Sequence, residues 1–148
     1  DEIRGHNVMV LGCGTGVLGI LAAKMRASHV YAVDIDAVAA QSALDNARLN
    51  KVSRTMEAFY GDASMLQREK YDVLLANIHR NIILQDLDTY ASSLRKPGMR
   101  YSTGMSEGGF YESPVEDIVK AAEAQGLRLV GQKAREGWAC LVFKRFII

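Results

Sequence analysis

Several features that mark particular protein classes are scarce or missing in this sequence. It has two cysteines, Cys13 and Cys140, which have neither the spacing of a metal site nor the number that a disulfide framework needs. We therefore predict no metal site and a reducing, cytoplasmic environment. No apolar run approaches the roughly 18 residues of a membrane helix, so we expect no membrane partner. The opening residues, DEIRGHN, are neither a signal peptide nor a start at methionine, which suggests a piece of a longer protein.

An excess of charge of one sign is also missing. The sequence has 18 lysines and arginines against 17 aspartates and glutamates, which gives a formal net charge of +1. Because a dedicated nucleic-acid-binding domain normally carries a basic face, we do not expect nucleic acid as a direct partner. With 148 residues, 49% of them hydrophobic, the chain can bury one core but is short for two ordinary domains. We predict a single domain, residues 1–148, and nothing in the sequence indicates its oligomeric state.

The sequence does contain a regular alternation of short apolar runs and amphipathic stretches. Because such alternation is typical of parallel strands joined by helices, it predicts an α/β sheet with helices on both faces. The last two apolar runs predict a hairpin, which requires one antiparallel strand. Strands are predicted at 8–11, 29–34, 55–60, 71–78 and 100–103, helices at 17–26, 37–50, 82–94 and 115–125, and the hairpin around Glu136 and Gly137.

The second predicted helix, 37–50, carries two more specific expectations. Asn50 is expected to end it in the left-handed conformation, which asparagine tolerates better than most residues. The apolar residues available for its buried stripe are Val38, Leu44, Ala47 and Leu49.

Four segments follow predicted parallel strands, at the sheet edge where α/β proteins bind ligands: 12–16, 34–36, 61–63 and 77–79. The glycines of the first segment let the backbone approach a ligand and aim the N–H groups of the next helix at it. Asp34 can accept two hydrogen bonds from a ribose diol, and Asp62 can accept the exocyclic amine of an adenine. Their occurrence at successive strand ends predicts an adenosine-containing ligand, either a dinucleotide or S-adenosylmethionine.

The dinucleotide interpretation has support of its own. Gly14, Gly16 and Gly19 satisfy the pattern G-x-G-x-x-G, and Asp34 follows about 20 residues on, as that fingerprint requires. Against it, the glycines begin at Gly12, so the loop is longer than a tight pyrophosphate turn. A dinucleotide fold also does not call for the final hairpin.

Eight motifs occur along the chain in the order LGCGTGVLGILAAK, VDID, ALDNARLN, YGDAS, YDVLLANI, LRKPG, AEAQGLRLV and REGWACLVF. In this order they resemble the catalytic domain of the bacterial ribosomal protein L11 methyltransferases, the PrmA family, over nearly the whole chain. The most specific part is ANIHRNIILQD followed by EGWA. The resemblance implies a Rossmann-like class I S-adenosylmethionine-dependent methyltransferase, with a seven-stranded, mostly parallel sheet whose last strand is antiparallel. It also implies methylation of amino groups, on lysine side chains or the N-terminus, of a ribosomal protein.

The resemblance also assigns residues to the cofactor and the acceptor. Asn77 would lie beside the methyl sulfonium, and Asn77 with the backbone carbonyl of Ile78 would orient the attacking amine. Alignment of that amine with the methyl group would provide much of the acceleration. We assign no role to His79, Phe110 or Trp138. The remaining cofactor residues would be Gly12, Gly14 and Gly16 for the methionine part, Asp34 for the ribose, and Asp62 and Ala63 for the adenine, with Cys13, Thr15 and Ile35 also expected to bind the cofactor.

The sequence departs from the family pattern at several points. Val10 stands where the family usually has an aspartate that helps hold the cofactor's amino group, a contact worth on the order of 1.5 to 3 kcal/mol. Lys51 and Met99 stand where glycines are common. The family's N-terminal substrate-binding domain and a segment that covers the cofactor are absent from this sequence. Three alternatives therefore stay open: an NAD(P)-binding oxidoreductase domain, a binding module without turnover, and a methyltransferase acting on RNA or a small molecule.

Overall fold

The computed structural model describes residues 3–77, 80–95, 100–106, 112–135 and 138–145. Strands and helices alternate along the chain, which confirms the predicted α/β class. The elements are β1 (Asn7–Leu11), α1 (Val17–Lys24), β2 (His29–Asp34), α2 (Ala37–Leu49), β3 (Met56–Tyr60), a 3-10 turn (Ala63–Met65), β4 (Val73–Asn77), α3 (Arg80–Ser93), β5 (Arg100–Ser106), α4 (Glu112–Ala124), β6 (Leu127–Arg135) and β7 (Trp138–Arg145).

All seven strands belong to one sheet, in the order β3-β2-β1-β4-β5-β7-β6. The pairs from β3 through β5 are parallel, and β7 runs antiparallel to both of its neighbours, β5 and β6. The chain first builds outward from β1 to β3 and then returns to place β4 on the other side of β1. This reversal puts a crevice beyond the carboxyl ends of β1 and β4, which is where open α/β sheets bind ligands.

Residues of β1 alternate between two hydrophobic cores. Met9 and Leu11 belong to the core that buries side chains of α3 and α4. Val8 and Val10 belong to the core that buries side chains of α1 and α2. Because successive side chains of a strand point to opposite faces, the helices cover both faces of the sheet.

The buried stripe of α2 differs from the one expected. Val38 and Leu49 are 76% and 78% exposed, so the expectation that they are buried is wrong, and Leu44 is only partly buried. With 3.6 residues per turn, Val38 and Leu49 lie on the far side of the helix from the sheet. Ala47 is buried, as predicted, and it shares the face toward the sheet with two further alanines, Ala40 and Ala43. Their small side chains let the helix approach the strands closely.

Several element boundaries also differ from the predicted ones. β5 continues to Ser106, and α4 begins at Glu112 rather than near residue 115, so the loop between them is shorter than expected. Pro114 lies in the first turn of α4, where a missing N–H removes no helical hydrogen bond. β4 begins at Val73, and the predicted hairpin tip at 136–137 and Met99 lie outside the described residues.

The end of α2 corrects another prediction. Asn50 is the C-cap and has φ −92°, so it is not in the left-handed conformation. That conformation falls one residue later, on Lys51, with φ +60°. Helices commonly end with a left-handed residue at this position, usually glycine, because a Cβ is strained there.

We expect Lys51→Gly to raise the free energy of unfolding by about 0.5 to 1 kcal/mol, because glycine adopts positive φ without strain. The backbone hydrogen bond from the Lys51 N–H to the Arg48 carbonyl, 3.0 Å, is unaffected by the change. Urea unfolding measures the difference. Arg54→Gly is the matched control, since Arg54 is exposed in the same turn but lacks positive φ, and it should lower the stability. Equal losses in both variants would contradict the explanation.

Candidate functional site

The glycine loop, residues 12–16, joins β1 to α1 beyond the carboxyl edge of the sheet. The N–H groups of Gly12 and Cys13 both donate to the Val33 carbonyl of β2, at 2.9 and 3.2 Å. The Gly16 N–H donates back to the Cys13 carbonyl at 2.8 Å, which closes the loop into a tight turn. Gly16 is the N-cap of α1 and makes no side-chain capping bond. The N-terminal end of α1 thus faces the crevice with its N–H groups, as helix ends that bind anions do.

Two glycines of the loop are required for different reasons. Gly16 has φ +93°, where a side chain is strained, and a Cβ there would lie 3.1 Å from the Cα of Ala43 on α2, so the space is also tight. Gly14 has φ +53°, but a Cβ there would meet no atom within 4 Å. The backbone of Gly14 is therefore open on the side where a Cβ would project, which leaves room for a ligand to approach the main chain.

The carboxylate of Asp34 ties the end of β2 to the glycine loop. Its Oδ2 accepts a hydrogen bond from the Gly14 N–H at 3.0 Å, and its Oδ1 accepts one from the Asp36 N–H at 2.9 Å. A carboxylate oxygen can accept two hydrogen bonds, so each oxygen keeps acceptor capacity for a ligand. The structure brings Asp34 and the loop together, as the sequence predicts for the ends of neighbouring strands. Ile35, next in the chain, is 67% exposed at this edge.

Asp62 and Ala63 follow β3 at the same edge. The Gly61 N–H donates to the backbone carbonyl of Asp34 at 2.9 Å, which joins this segment to the end of β2. Asp62 caps the short turn that follows, and its Oδ1 accepts both the hydroxyl and the N–H of Ser64. These bonds hold the pKa of the exposed Asp62 carboxyl below its ordinary value, the hydroxyl more than the N–H. Asp62 is thus a charged acceptor, whereas Ala63 is buried.

Asn77 is the last residue of β4 and pairs with Gly104 of β5. Its neighbour Ala76 pairs with Leu11 of β1, so the backbone of Asn77 lies level with the start of the glycine loop. Ile78, His79 and Phe110 lie outside the described residues. Trp138 begins β7 opposite Ser106, on the other half of the sheet.

Cys13 contributes to the loop through packing. Its side chain is 6% exposed and belongs to the core between the sheet and α1 and α2. Burial raises the pKa of the thiol to about 11, and the charge of Asp34 adds to the increase. The thiol is therefore neutral near pH 7. Because the side chain is buried, only the backbone of Cys13 is available to contact a ligand.

Two polar residues at this edge, Asn46 and Asp86, were not predicted from the sequence. Asn46, on α2, donates from Nδ2 to the Thr15 carbonyl of the glycine loop at 2.8 Å. Asp86, on α3, has its pKa raised by partial burial and by the charges of Asp62 and Asp88. Asn46 follows Ala43 by three residues, and residues at this spacing lie on the same face of a helix. The spacing therefore could have indicated that Asn46 faces the loop together with Ala43. For Asp86 the sequence offered no such signal, because its electrostatic interaction with Asp62 depends on how α3 docks beside the turn after β3.

The described ranges contain neither a candidate metal site nor a candidate membrane-spanning helix. They contain no group of three or more histidine, cysteine, aspartate or glutamate side chains that could hold a metal ion. No helix in the same part of the chain has both the length and the apolar character needed to cross a bilayer.

Comparison with known proteins relates this chain to one protein family. The model of the family described as ribosomal protein L11 methyltransferase (PrmA) matches residues 2–146. The ribosomal protein L11 methyltransferase of Porphyromonas gingivalis is 39% identical over 143 residues, covering 96% of this chain and 47% of that protein. That of Acetivibrio thermocellus is 34% identical over 140 residues, covering 95% of this chain and 43% of that protein.

Solved structures share the fold at lower identity. A ribosomal protein L11 methylase from Lactobacillus delbrueckii superposes with a TM-score of 0.83 at 22% identity, covering 97% of this chain and 72% of that one. Magnesium protoporphyrin IX methyltransferase from Synechocystis, solved with bound S-adenosylmethionine, gives a TM-score of 0.78 at 20% identity, with coverages of 97% and 72%. The chain spans about half the length of the curated relatives that it matches. Because the family model matches nearly all of its residues, the chain belongs to the ribosomal protein L11 methyltransferase family.

Proposed function

We propose that this chain is a single S-adenosylmethionine-binding domain that transfers methyl groups to amino groups of a ribosomal protein. The observation that carries the proposal is the hydrogen bond from the Gly14 N–H to Asp34 Oδ2, 3.0 Å. It joins the open glycine loop to a carboxylate that still has acceptor capacity. Family membership supports S-adenosylmethionine as the cofactor, and the names of the relatives support ribosomal protein L11 as the acceptor.

The donor set at the sheet edge fits this cofactor. Gly14 leaves open space beside the main chain, where the methionine part would bind against the loop and the N-terminal end of α1. Asp34 would accept the ribose hydroxyls through both oxygens. Asp62 would accept the adenine amine, and because the Ala63 side chain is buried, any contact of Ala63 with the ring would fall to its backbone. When bound, the cofactor would supply an electrophilic methyl group for transfer to the amine nitrogen, with its sulfur as the leaving group.

The protein's part in the reaction is mainly to orient and desolvate the amine. An in-line displacement gains most from alignment, and a rigid strand end at Asn77 is suited to hold the amine in line. A lysine amine has an ordinary pKa of about 10.4 and must lose a proton before it attacks. A water-poor crevice lowers that pKa by disfavouring the charged form. We assign the amine's remaining hydrogen bonds to Asn77 and to the Ile78 carbonyl.

A dinucleotide-binding domain is the second candidate, and one observation favours it. A Cβ on Gly19 of α1 would lie 2.9 Å from Cε of Met56 and 3.4 Å from Cγ1 of Val30, so this glycine lets the helix pack closely on the sheet. The third glycine of the dinucleotide fingerprint has the same role. Family membership and the glycine at position 12 argue for the first candidate instead.

Calorimetric titration of the chain with S-adenosylmethionine, S-adenosylhomocysteine and NAD tests the cofactor. We expect the first two to bind, because both contain the adenine, ribose and amino-acid parts that the edge residues would hold, and we expect no heat with NAD. Binding of NAD alone would overturn the proposal in favour of the dinucleotide domain. Binding of none would leave a module without cofactor.

The acceptor needs a separate measurement. The chain is incubated with methyl-labelled S-adenosylmethionine and either purified ribosomal protein L11 or ribosomal RNA, and label is counted in each. Label on protein amino groups supports the proposed acceptor. Label on RNA alone would replace it with an RNA acceptor.

A further inference from the structure

The glycine loop is held by two side chains, Asp34 at the end of β2 and Asn46 on α2. Asp34 accepts the Gly14 N–H, which fixes the peptide plane between Cys13 and Gly14. Asn46 reaches across 31 positions of sequence from α2 and donates to the Thr15 carbonyl at 2.8 Å. Because a peptide unit is planar, that carbonyl and the Gly16 N–H turn together. The Gly16 N–H is itself bound to the Cys13 carbonyl, so the plane between Thr15 and Gly16 is fixed at both ends.

One loop N–H lies between these two fixed planes. It belongs to Thr15, and no described residue accepts a hydrogen bond from it. Gly14 and Gly16 flank Thr15, and because glycine has no Cβ, the backbone rotates more easily at these two positions than at other residues. Without the hold on the Thr15 carbonyl, only the bond from the Gly16 N–H to the Cys13 carbonyl restrains these peptides, so they turn more easily and the Thr15 N–H is less firmly oriented.

We propose that Asn46 is a positioning residue that fixes the orientation of the Thr15 peptide planes, so that the Thr15 N–H points into the crevice and binds an acceptor oxygen of the ligand. α2 is a firm support for this role, since Ala43, one turn earlier, lies so close to the loop that a Cβ on Gly16 would be 3.1 Å from the Ala43 Cα. The effect on ligand affinity rests on the proposed function, whereas the effect on the loop does not. Asn46 itself has no contact with the ligand in this account.

Variants at position 46 test the effect on affinity, measured as the Kd of S-adenosylhomocysteine by calorimetry. Asn46→Ala removes the donor and should weaken binding about tenfold, which corresponds to about 1.4 kcal/mol. Asn46→Asp should weaken it further, because a carboxylate oxygen repels the Thr15 carbonyl. Asn46→Gln keeps an amide donor on an exposed helix face and should stay within about threefold of the original chain.

Asn50→Ala is the matched control. Asn50 lies one turn after Asn46, and its side-chain amide donates to the Asn46 carbonyl at 2.8 Å. It has no bond to the glycine loop. We expect a small loss of thermal stability and unchanged affinity. If Asn46→Ala and Asn50→Ala lower stability and affinity equally, the role of Asn46 is general to the helix and the proposal is overturned.

Amide hydrogen exchange in the ligand-free chain separates this inference from the proposed function. Asn46→Ala should speed exchange at the Gly16 N–H several-fold. It should leave the Gly61 N–H unchanged, since the Asp34 carbonyl holds that group at 2.9 Å. If the chain binds no S-adenosylhomocysteine, the proposed function fails, and the exchange at Gly16 still decides whether Asn46 fixes the loop. Unchanged exchange at Gly16 in both Asn46→Ala and Asn46→Asp would overturn the inference.

Discussion

Replacing Asp34 with alanine is expected to weaken S-adenosylhomocysteine binding at least about 100-fold. Two losses add in this variant. The carboxylate no longer accepts the ribose hydroxyls, and each charge-assisted hydrogen bond of this kind is worth about 1.5 to 3 kcal/mol. The Gly14 N–H, now bound to Asp34 Oδ2 at 3.0 Å, also loses its acceptor, so the loop is held less firmly. Calorimetric titration gives the change in Kd.

The neighbouring carboxylate provides the control. Asp36 accepts the Val38 N–H at 2.9 Å and caps α2, but it has no bond to the glycine loop. Asp36→Ala should therefore cost about 1 kcal/mol of stability, as lost helix caps do, with the affinity nearly unchanged. Equal losses of affinity in the two variants would show that the negative charge of this edge, rather than the geometry of Asp34, governs binding.

The sequence predicts where the candidate site lies because that location depends on topology. Alternating strands and helices force successive parallel strands to end at one edge, so the segments after β1, β2 and β3 had to become neighbours. The bonds from Gly14 to Asp34 and from Gly61 to the Asp34 carbonyl are consequences of this arrangement. The ligand roles of these residues stay predictions.

Details that depend on the rotation and docking of single helices were harder to predict. Hydrophobicity pointed to Val38 and Leu49 as buried, yet the alanines face the sheet, because close packing selects small side chains over apolar ones. The bond from Asn46 to Thr15 spans two elements and depends on the same rotation. Lys51 rather than Asn50 is left-handed, because helix endings shift by one residue without a change in sequence pattern.

The described contacts also explain how the loop keeps its shape before any ligand arrives. Bonds to the Val33 carbonyl, to Asp34 and from Asn46 hold it from β2 and α2. A loop ordered in advance loses less conformational freedom on binding, which favours affinity. The candidate site is thus a product of the packing of α2 on the sheet as much as of the glycines.

Replacing Val10 with aspartate is expected to have opposite effects on stability and on affinity. Val10 is 1% exposed in the core that also contains Val8 and Cys13. A carboxyl group there loses its water, and we expect the free energy of unfolding of the ligand-free chain to fall by about 2 to 4 kcal/mol. The resemblance to the family implies that an aspartate at this position would help hold the cofactor's amino group. Affinity for S-adenosylhomocysteine should therefore rise about 10-fold or more.

Val10→Asn separates the two effects, because its side chain matches aspartate in size but carries no charge. It should lose stability in urea unfolding as Val10→Asp does, while gaining little affinity, since a neutral amide attracts an ammonium group weakly. Saturating S-adenosylhomocysteine should then restore more stability to Val10→Asp than to Val10→Asn, because tighter binding to the folded state shifts unfolding further. An unchanged Kd in Val10→Asp would mean that a side chain at position 10 does not reach the amino group. Val10 would then contribute to core packing and have no effect on cofactor binding.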